Sequence, residues 1–374
     1  MAGRHGTSGG RLRATLREGV TARALLLVIG VLAVQLAFIA SYLGAFHQPG
    51  AHRIPVAVVV APGLPAGTAE QVAAQLNQVT GRPVQATAAV DEAAARAGIA
   101  GRRAYGAYLV TGGGNDQLLV AGAAGASVAQ ALESVFTQVA QEQQHGLTVT
   151  DVVPAAAGDA RGLSAFYLTV GWVVGGYLVA SALSVSRGAR SPHATAAGVR
   201  LGALAAYAVV SGVGGALVAE NLIGALSGHA VKLAVFGALL VFAAGAFTMA
   251  LQALTGILGI GLTVVLFVVL GNPSAGGAYP WPMLPTFWRL IGPWLPPGAG
   301  TSAVRGIAYF HDAGVGAPAR TLTVYALAGV AGTVAAAARH SRRFQATHRA
   351  PEQEAQGDET ELLELAEAAA GTPA

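Results

Sequence analysis

The side chains that could perform chemistry are few, and their contexts argue against catalysis. Lys232 is the only lysine among the 22 basic residues, and it lies in the sequence Ala-Val-Lys-Leu. A complete Walker A loop needs a lysine that follows a glycine, so ATP hydrolysis by that route is excluded. The sequence has no cysteine, which excludes thiol nucleophiles and cysteine-ligated zinc, and it has no His-Glu-x-x-His metalloprotease motif.

An intramembrane protease, which needs a serine and a histidine at membrane depth, is the remaining catalytic hypothesis, and the residues present do not support it. Ser211, Ser274 and His229 are nearest to the required positions, but no Gly-x-Ser-x-Gly elbow accompanies them.

Asp91 and Glu92 are adjacent and point in different directions on a helix, so helix capping by Asp91 is favoured over acid-base chemistry. We predict that the chain is not an enzyme and needs no metal or cofactor.

Composition places most of the chain in a membrane. Of the 374 residues 53% are hydrophobic and 11% are charged, whereas soluble domains contain about 25% charged residues. A helix needs roughly 20 apolar residues to cross the hydrocarbon core. We predict six transmembrane helices, at residues 24–46, 163–185, 199–223, 231–254, 257–271 and 319–338. The fifth is the shortest, and a longer helix that starts inside the preceding hairpin would fit as well.

The arginines predict the orientation, because basic residues near the ends of spans stay in the cytoplasm. They cluster before the first span, between the second and third spans, and after the last: Arg4, Arg11, Arg13, Arg17, Arg23, Arg187, Arg190, Arg200, Arg339, Arg342, Arg343 and Arg349. An even number of spans brings these clusters to one face. We therefore predict a multi-pass protein of a bacterial plasma membrane with both termini in the cytoplasm and residues 47–162, 221–230 and 272–318 outside.

The polar segment 47–162 has the pattern of a small exported α/β domain. Its apolar runs, turn residues and periodic segments predict the order β-α-β-α-β-β-α-β, and hence a mixed sheet covered by helices. Thr68 followed by Glu70 predicts a capped helix, and Asp91 is the predicted cap of the next one. Gly112-Gly-Gly lies between two predicted strands, so we interpret it as a hairpin turn and not as a phosphate loop.

Within the spans the polar residues are sparse. No ionisable residue lies in the middle of a span, which argues against a proton-coupled transporter. Glu220 and Lys232 lie at the ends of the third and fourth spans, where they either pair with each other or extend to lipid headgroups. Gly171-x-x-x-Gly175 and Gly198-x-x-x-Gly202 would allow helices to pack closely.

The segment before the last span is the most distinctive. Four prolines interrupt residues 272–285, and the following residues place Phe287, Trp288, Ile291 and Trp294 on one face of a short amphipathic helix. Such irregular backbone is tolerated at membrane depth where protein buries it or where it lines a cavity. We predict a re-entrant or interfacial element that ends at a proline pair and leads into a second short helix.

The layout of one span, an exported domain and five further spans resembles the membrane subunits of type-2 ABC exporters, in the branch that includes the phage infection protein family. The matching stretches are residues 159–167 with Gly175-Gly-Tyr177, Asn272-Pro-Ser-Ala-Gly-Gly277, Leu284-Pro-Thr-Phe-Trp288, Leu295-Pro296 and Arg305-Gly-Ile-Ala-Tyr-Phe310. The resemblance covers the layout of residues 20–340. The exported domain is much shorter than in phage infection proteins.

The resemblance implies a permease that exports a hydrophobic or amphipathic substrate. Two permeases, identical or different, would pair and dock separate ATP-binding subunits; nucleic acid is not an expected partner. The docking residues it implies are Arg11, Arg13, Arg17, Arg187, Arg190 and Pro192. The residues it implies for a gate or outer loop are Asn272, Pro273, Pro285, Trp288, Trp294, Pro296 and Arg305. The arginines would equally serve to set topology and to attract anionic membrane lipid, at about 1 kcal/mol each.

The predicted fold is a polytopic α-helical membrane protein with six transmembrane helices and an α/β domain between the first two. Its parts are a cytoplasmic amphipathic stretch (1–23), the first span (24–46), the exported domain (47–162), a five-helix domain (163–338) that contains the 272–318 loop, and a cytoplasmic tail that is largely disordered (339–374). The alternative function is a non-transporting scaffold or surface receptor that acts through the exported domain. A membrane enzyme is the third hypothesis.

Overall fold

A computed structural model describes residues 22–187 and 194–342 of the chain. Its helices are α1 (Ala22–Phe46), α2 (Thr68–Gln78), α3 (Glu92–Ala100), α4 (Ala126–Glu142), α5 (Ser164–Arg187), α6 (Ala194–Leu217), α7 (Ala230–Thr255), α8 (Leu258–Val264), α9 (Thr286–Ile291), α10 (Pro296–Tyr309) and α11 (Gly316–Arg342). Its strands are β1 (Ile54–Val60), β2 (Val84–Ala88), β3 (Gly106–Val110), β4 (Asn115–Val120) and β5 (Gly146–Asp151).

The fold is predominantly helical, as expected of a membrane protein. Within the described ranges five helices are long and apolar enough to cross a membrane, namely α1, α5, α6, α7 and α11. The fifth predicted span forms the shorter helix α8, which π-helical turns extend over Val265–Gly271. The α-helical part and the π-helical part of this element have 7 residues each. At 1.5 Å per residue the helix is therefore about 21 Å long, less than the ~30 Å hydrocarbon core.

Helix α7 lies at the centre of the helical part of the chain. Glycines at its contacts with α5 and α6 allow these two helices to pack closely against it. In its most apolar stretch 67% of the residues are buried, compared with 33% in α5 and 22% in α6. The Trp172 ring lies between Gly215 and Gly237, and its Nε1 donates to the Ser211 carbonyl at 3.0 Å. At the far end of the bundle, Gln252 of α7 bonds to Ser181 and Ser184 of α5.

Of the two glycine motifs chosen from the sequence, only Gly175 makes a close contact, since its Cβ would lie 3.0 Å from the Tyr207 hydroxyl of α6. A Cβ at Gly171, Gly198 or Gly202 would meet no atom within 4 Å in the part of the chain that the structure describes. By contrast, a Cβ at Gly176 would lie 2.6 Å from the Val241 carbonyl, and one at Gly212 would lie 2.4 Å from that of Ala234. Spacing alone cannot show which of many glycines faces a neighbouring helix, since 51 are present.

The α/β domain has the predicted order of elements. Its sheet runs β2-β1-β3-β4-β5, with β1 parallel to β2 and β3, β4 antiparallel to β3, and β5 parallel to β4. Successive residues of β1 point to opposite faces. Ile54, Val56 and Val58 pack with α2 and α4, and Ala57 and Val59 pack with α3. Helices therefore cover both faces, which explains why β1 is apolar throughout.

Two of the local capping predictions have different outcomes. Asp91 caps α3 as predicted, because its Oδ1 accepts a hydrogen bond from the Ala94 amide at 2.7 Å. Thr68 is not the cap of α2: Gly67 occupies that position with φ +85°, and the Thr68 hydroxyl donates instead to the Pro65 carbonyl at 2.7 Å. The prediction failed because the preceding glycine adopts a left-handed conformation that moves the threonine into the first turn.

Glu220 and Lys232 each bond to another group of the protein, so neither the predicted pairing of the two nor the predicted extension to lipid headgroups is observed. Lys232 Nζ lies 2.5 Å from Asp312 Oδ2, so its partner comes from the residues after α10. Glu220 accepts hydrogen bonds from the amides of Gly228 and His229 at 2.8 and 3.2 Å. These amides precede α7 in the turn that follows α6, and the carboxylate satisfies them in place of water.

Candidate functional site

The candidate site lies where the α/β domain meets residues 272–318, which we call the proline-rich segment. This segment completes the core of the domain: Met283 is 7% exposed and packs against β-sheet residues and α4. The His52 amide donates to the Pro282 carbonyl at 3.0 Å, and Ser127 Oγ donates to the Ala278 carbonyl at 2.9 Å. Phe310 is buried against the opposite face of the sheet. The domain is thus fixed to the helices by both of its faces.

Helix α10 carries the central residue of this junction. Two prolines form its first turn, where their missing amide hydrogens cost nothing, and residues 296–307 are all buried. The helix packs between α5 and α7, so that a Cβ at Gly300 would lie 2.4 Å from Thr169 of α5 and 2.9 Å from Leu240 of α7. Helix α10, which contains most of the predicted second short helix, is therefore enclosed by protein over residues 296–307.

Arg305 of α10 joins three separate stretches of chain. Its Nη1 donates to the Gly276 carbonyl at 2.9 Å, and its Nη2 donates to the carbonyls of Gly162 and Gly277 at 3.2 Å each. The side chain is only 5% exposed, and its Nε has no hydrogen-bond partner among the residues described. Arg305 therefore ties the end of the α/β domain, the start of the proline-rich segment and α10 together.

Arg102 is a second guanidinium at the junction and was missed by the sequence analysis. Its Nη1 donates to the carbonyls of Ser302 and Ala313 at 2.8 and 3.3 Å, and its Nη2 donates to Ser302 Oγ at 3.1 Å. The guanidinium lies over the Phe310 ring, 5.4 Å from its centre. Arg102 follows α3 with φ +57°, and no sequence pattern signals that this turn points its side chain toward α10.

Burial lowers the pKa of both arginines, and the charge of Arg102 lowers that of Arg305 further. Burial lowers the pKa of Arg102 below its usual value. Burial, followed by the positive charge of Arg102, lowers the pKa of Arg305 to about 10. Both groups stay charged at neutral pH. Among the residues described, no carboxylate oxygen lies within 4.0 Å of either guanidinium.

The nearest acidic group, Asp159, is already engaged. Its Oδ2 accepts a hydrogen bond from the Tyr309 hydroxyl at 2.7 Å, and its Oδ1 accepts one from the Ser164 amide at 2.8 Å. Burial and the hydrogen bond to Asp159 raise the pKa of Tyr309. This pair fixes the C-terminal end of α10 to the start of α5, so Asp159 and Tyr309 belong to the same junction as Arg305.

Two adjoining cavities open at the junction. One, of about 280 Å³, is lined by Arg102, Arg305, Tyr105, Pro280 and their neighbours. The other, of about 420 Å³, is lined mainly by apolar groups of the proline-rich segment and α11. Trp281, Ser302 and Gly314 line both cavities.

The other predicted loop residues are distributed more widely. Trp288 packs on Gly44 of α1, and its Nε1 donates to Ser41 Oγ at 3.3 Å, whereas Trp294 is 71% exposed. Asn272 interacts with Tyr42, also on α1. Pro273 and Pro296 are buried, and Pro285 precedes α9. The structure brings Pro296 and Arg305 to the junction on α10 and uses Trp288 and Asn272 to hold α1.

Only one of the predicted docking residues belongs to the part of the chain that the structure describes. Arg11, Arg13, Arg17, Arg190 and Pro192 lie outside the described residues, and Arg187 is the last residue of α5.

A second polar cluster lies inside the α/β domain and was also missed. Asp116 is fully buried and accepts hydrogen bonds from the Tyr108 hydroxyl at 2.6 Å, the Thr111 amide at 2.9 Å and His145 Nδ1 at 3.0 Å. Burial alone would raise the pKa of Asp116, but these hydrogen bonds lower it below its usual value. The cluster joins β3, β4 and the start of β5. Because protein encloses the carboxylate, we interpret the cluster as a structural part of the domain.

No family model, curated protein or solved structure matches this chain.

Proposed function

We propose that this chain is the permease subunit of an ABC-type exporter that moves a hydrophobic or amphipathic substrate, with ATP hydrolysed by a separate subunit. The observation that carries the proposal is the junction: a domain, a buried helix and the spans are fastened together around two cavities. Such a unit can pass a movement of α10 to the domain, because Arg305 of α10 donates to the Gly162 carbonyl and Tyr309 of α10 donates to Asp159. The sequence supplies no Walker A loop, so the energy must come from a partner.

The proposed orientation has six spans, both termini in the cytoplasm and the α/β domain outside. Contacts support it, because the three segments proposed to be external lie at one end of the bundle. A Cβ at Gly158 would lie 2.7 Å from the Gly224 carbonyl, Lys232 pairs with Asp312, and Arg102 bonds to Ser302. Gln252 with its two serines lies at the other end. The arginine-rich segments are joined to that second end.

Single cysteines test the orientation, and the chain has no native cysteine to interfere. Gly113 is exposed between two glycines of positive φ but does not itself have one, so Gly113→Cys should fold normally. We expect an impermeant maleimide to label Gly113→Cys in intact cells and to label Ser191→Cys only after lysis. If the maleimide labels only Ser191→Cys in intact cells, the orientation is the reverse of the proposed one, and the exporter proposal is rejected.

Pairing of two permeases has support in α1. This helix is almost uncovered, with 6% of its most apolar stretch buried, and its Gln35 is exposed near the middle. An amide that faces hydrocarbon favours association with another helix that can bond to it. We propose that α1 contributes to contact with a second permease.

Docking of the ATPase is proposed at the arginines of the link between α5 and α6. The double variant Arg187→Glu/Arg190→Glu should reduce copurification of an ATP-binding subunit by tenfold or more, because it reverses two charges on the proposed docking face. Arg339→Glu/Arg342→Glu makes the same change of charge after the last span and is the matched control.

Equal copurification with both double variants would reject the link as the dock. If no ATPase copurifies even with the unmodified chain, the scaffold or receptor function becomes the better explanation.

A further inference from the structure

The junction holds two buried positive charges that the described residues do not neutralise by contact. Arg102 and Arg305 donate to carbonyl and hydroxyl oxygens, and neither has a carboxylate within 4.0 Å among the residues described. Asp159 is near Arg305 but is engaged by Tyr309 and the Ser164 amide. Burying a charge without a counter-charge is costly. An anion in the cavity between the two guanidinium groups would remove that cost.

The geometry of the donors favours a phosphate. Guanidinium groups present planar sets of N–H donors that match phosphate oxygens. Only 5% of Arg305 is exposed, and its Nε has no hydrogen-bond partner among the residues described. The positive charge of Arg102 contributes to the lowered pKa of Arg305, so the two charges lie close enough to repel. The cavity they line, about 280 Å³, has room for a phosphate group.

The adjoining cavity has the opposite character. Its 420 Å³ are lined mainly by apolar groups, among them Trp294, Ala299, Pro318, Val324 and Tyr325, and also by Arg320. Trp294 is 71% exposed and Val324, on the spanning helix α11, is 64% exposed, so the cavity opens on the side of α11 that faces the hydrocarbon. Trp281, Ser302 and Gly314 form the boundary between the two cavities. A charged cavity and an apolar groove are thus neighbours that share one wall.

We propose that this junction binds a phosphate-bearing lipid, with the phosphate between Arg102 and Arg305 and an acyl chain in the groove along α11. A phosphate-bearing lipid suits both cavities at once: free phosphate would leave the groove empty, and a neutral lipid would leave the two arginines without a counter-charge. Binding stands independently of transport; only the further role of this lipid as the exported substrate rests on the proposed function.

The test uses the purified full chain in detergent and counts bound lipid by native mass spectrometry. Phosphatidic acid and diacylglycerol with the same acyl chains differ only in the phosphate. We expect phosphatidic acid to bind at least tenfold more tightly than diacylglycerol. Arg102→Gln should abolish that preference, because it removes one guanidinium while leaving Arg305 to hold the fold.

A groove variant keeps the test valid if Arg102→Gln fails to fold. Val324→Trp fills the groove from an exposed position and should weaken phosphatidic acid binding about tenfold. Leu327→Trp is the matched control, because Leu327 is also 64% exposed on α11 but does not line the groove. It should bind lipid as the unmodified chain does.

Three results would overturn the proposal. The first is equal binding of phosphatidic acid and diacylglycerol. The second is equal binding by the Val324→Trp and Leu327→Trp variants. The third is occupation of the cavity by inorganic phosphate with no competition from phosphatidic acid, which would make it an anion site without a lipid chain. No ATPase is present in any of these measurements, so their results would stand even if the exporter proposal were rejected.

Discussion

Replacing Arg305 by methionine is expected to lower the free energy of unfolding by roughly 3–6 kcal/mol, because it leaves three buried carbonyl groups without their charged donor. The carbonyls belong to Gly162, Gly276 and Gly277, so the loss occurs where the α/β domain, the proline-rich segment and α10 meet. Methionine fills much of the volume without supplying a donor. Thermal unfolding of the purified chain, followed by tryptophan fluorescence, measures the effect.

Arg161→Met is the matched control for this prediction. Arg161 immediately precedes Gly162 but is exposed, so the same substitution should change the free energy of unfolding by less than about 0.5 kcal/mol. If Arg305→Met unfolds at the same temperature as Arg161→Met, Arg305 does not hold the junction. The domain would then be fixed mainly by the apolar contacts of Met283 and Phe310.

Replacing Gly212 by alanine should also have a large effect, because α6 and α7 are in backbone contact there. The added Cβ would lie 2.4 Å from the Ala234 carbonyl oxygen and 2.6 Å from the Ala238 amide nitrogen. Both are backbone atoms that cannot rotate away, so the two helices must separate. We expect a loss of about 3 kcal/mol or more, at the upper end for an overpacked core.

Gly214 provides the comparison on the same helix. A Cβ at Gly214 would meet no described atom within 4 Å. Gly214→Ala should therefore leave the unfolding temperature unchanged or raise it, since alanine is favoured over glycine in a helix by about 1 kcal/mol. Similar unfolding temperatures for the two variants would show that α6 and α7 are not packed as described.

The sequence by itself determined the class of the protein and most of its elements. Long apolar helices and the short apolar run of β1 are local patterns, because a helix or strand must bury its apolar surface wherever it packs. Asp91 as a cap of α3 and Gly112 in a hairpin turn, with φ +69°, were predictable for the same reason. Each depends on residues only a few positions apart.

Tertiary structure alone decided which residues form the junction. Arg102 bonds to Ser302 and Lys232 pairs with Asp312, although 200 and 80 positions separate them, and no spacing rule links such residues. The sequence pointed to Gly171 and Gly198, but the packing glycines proved to include Gly176 and Gly212. Which face of a helix meets a neighbour depends on how all the helices fill space together, and that is a property of the whole packed structure.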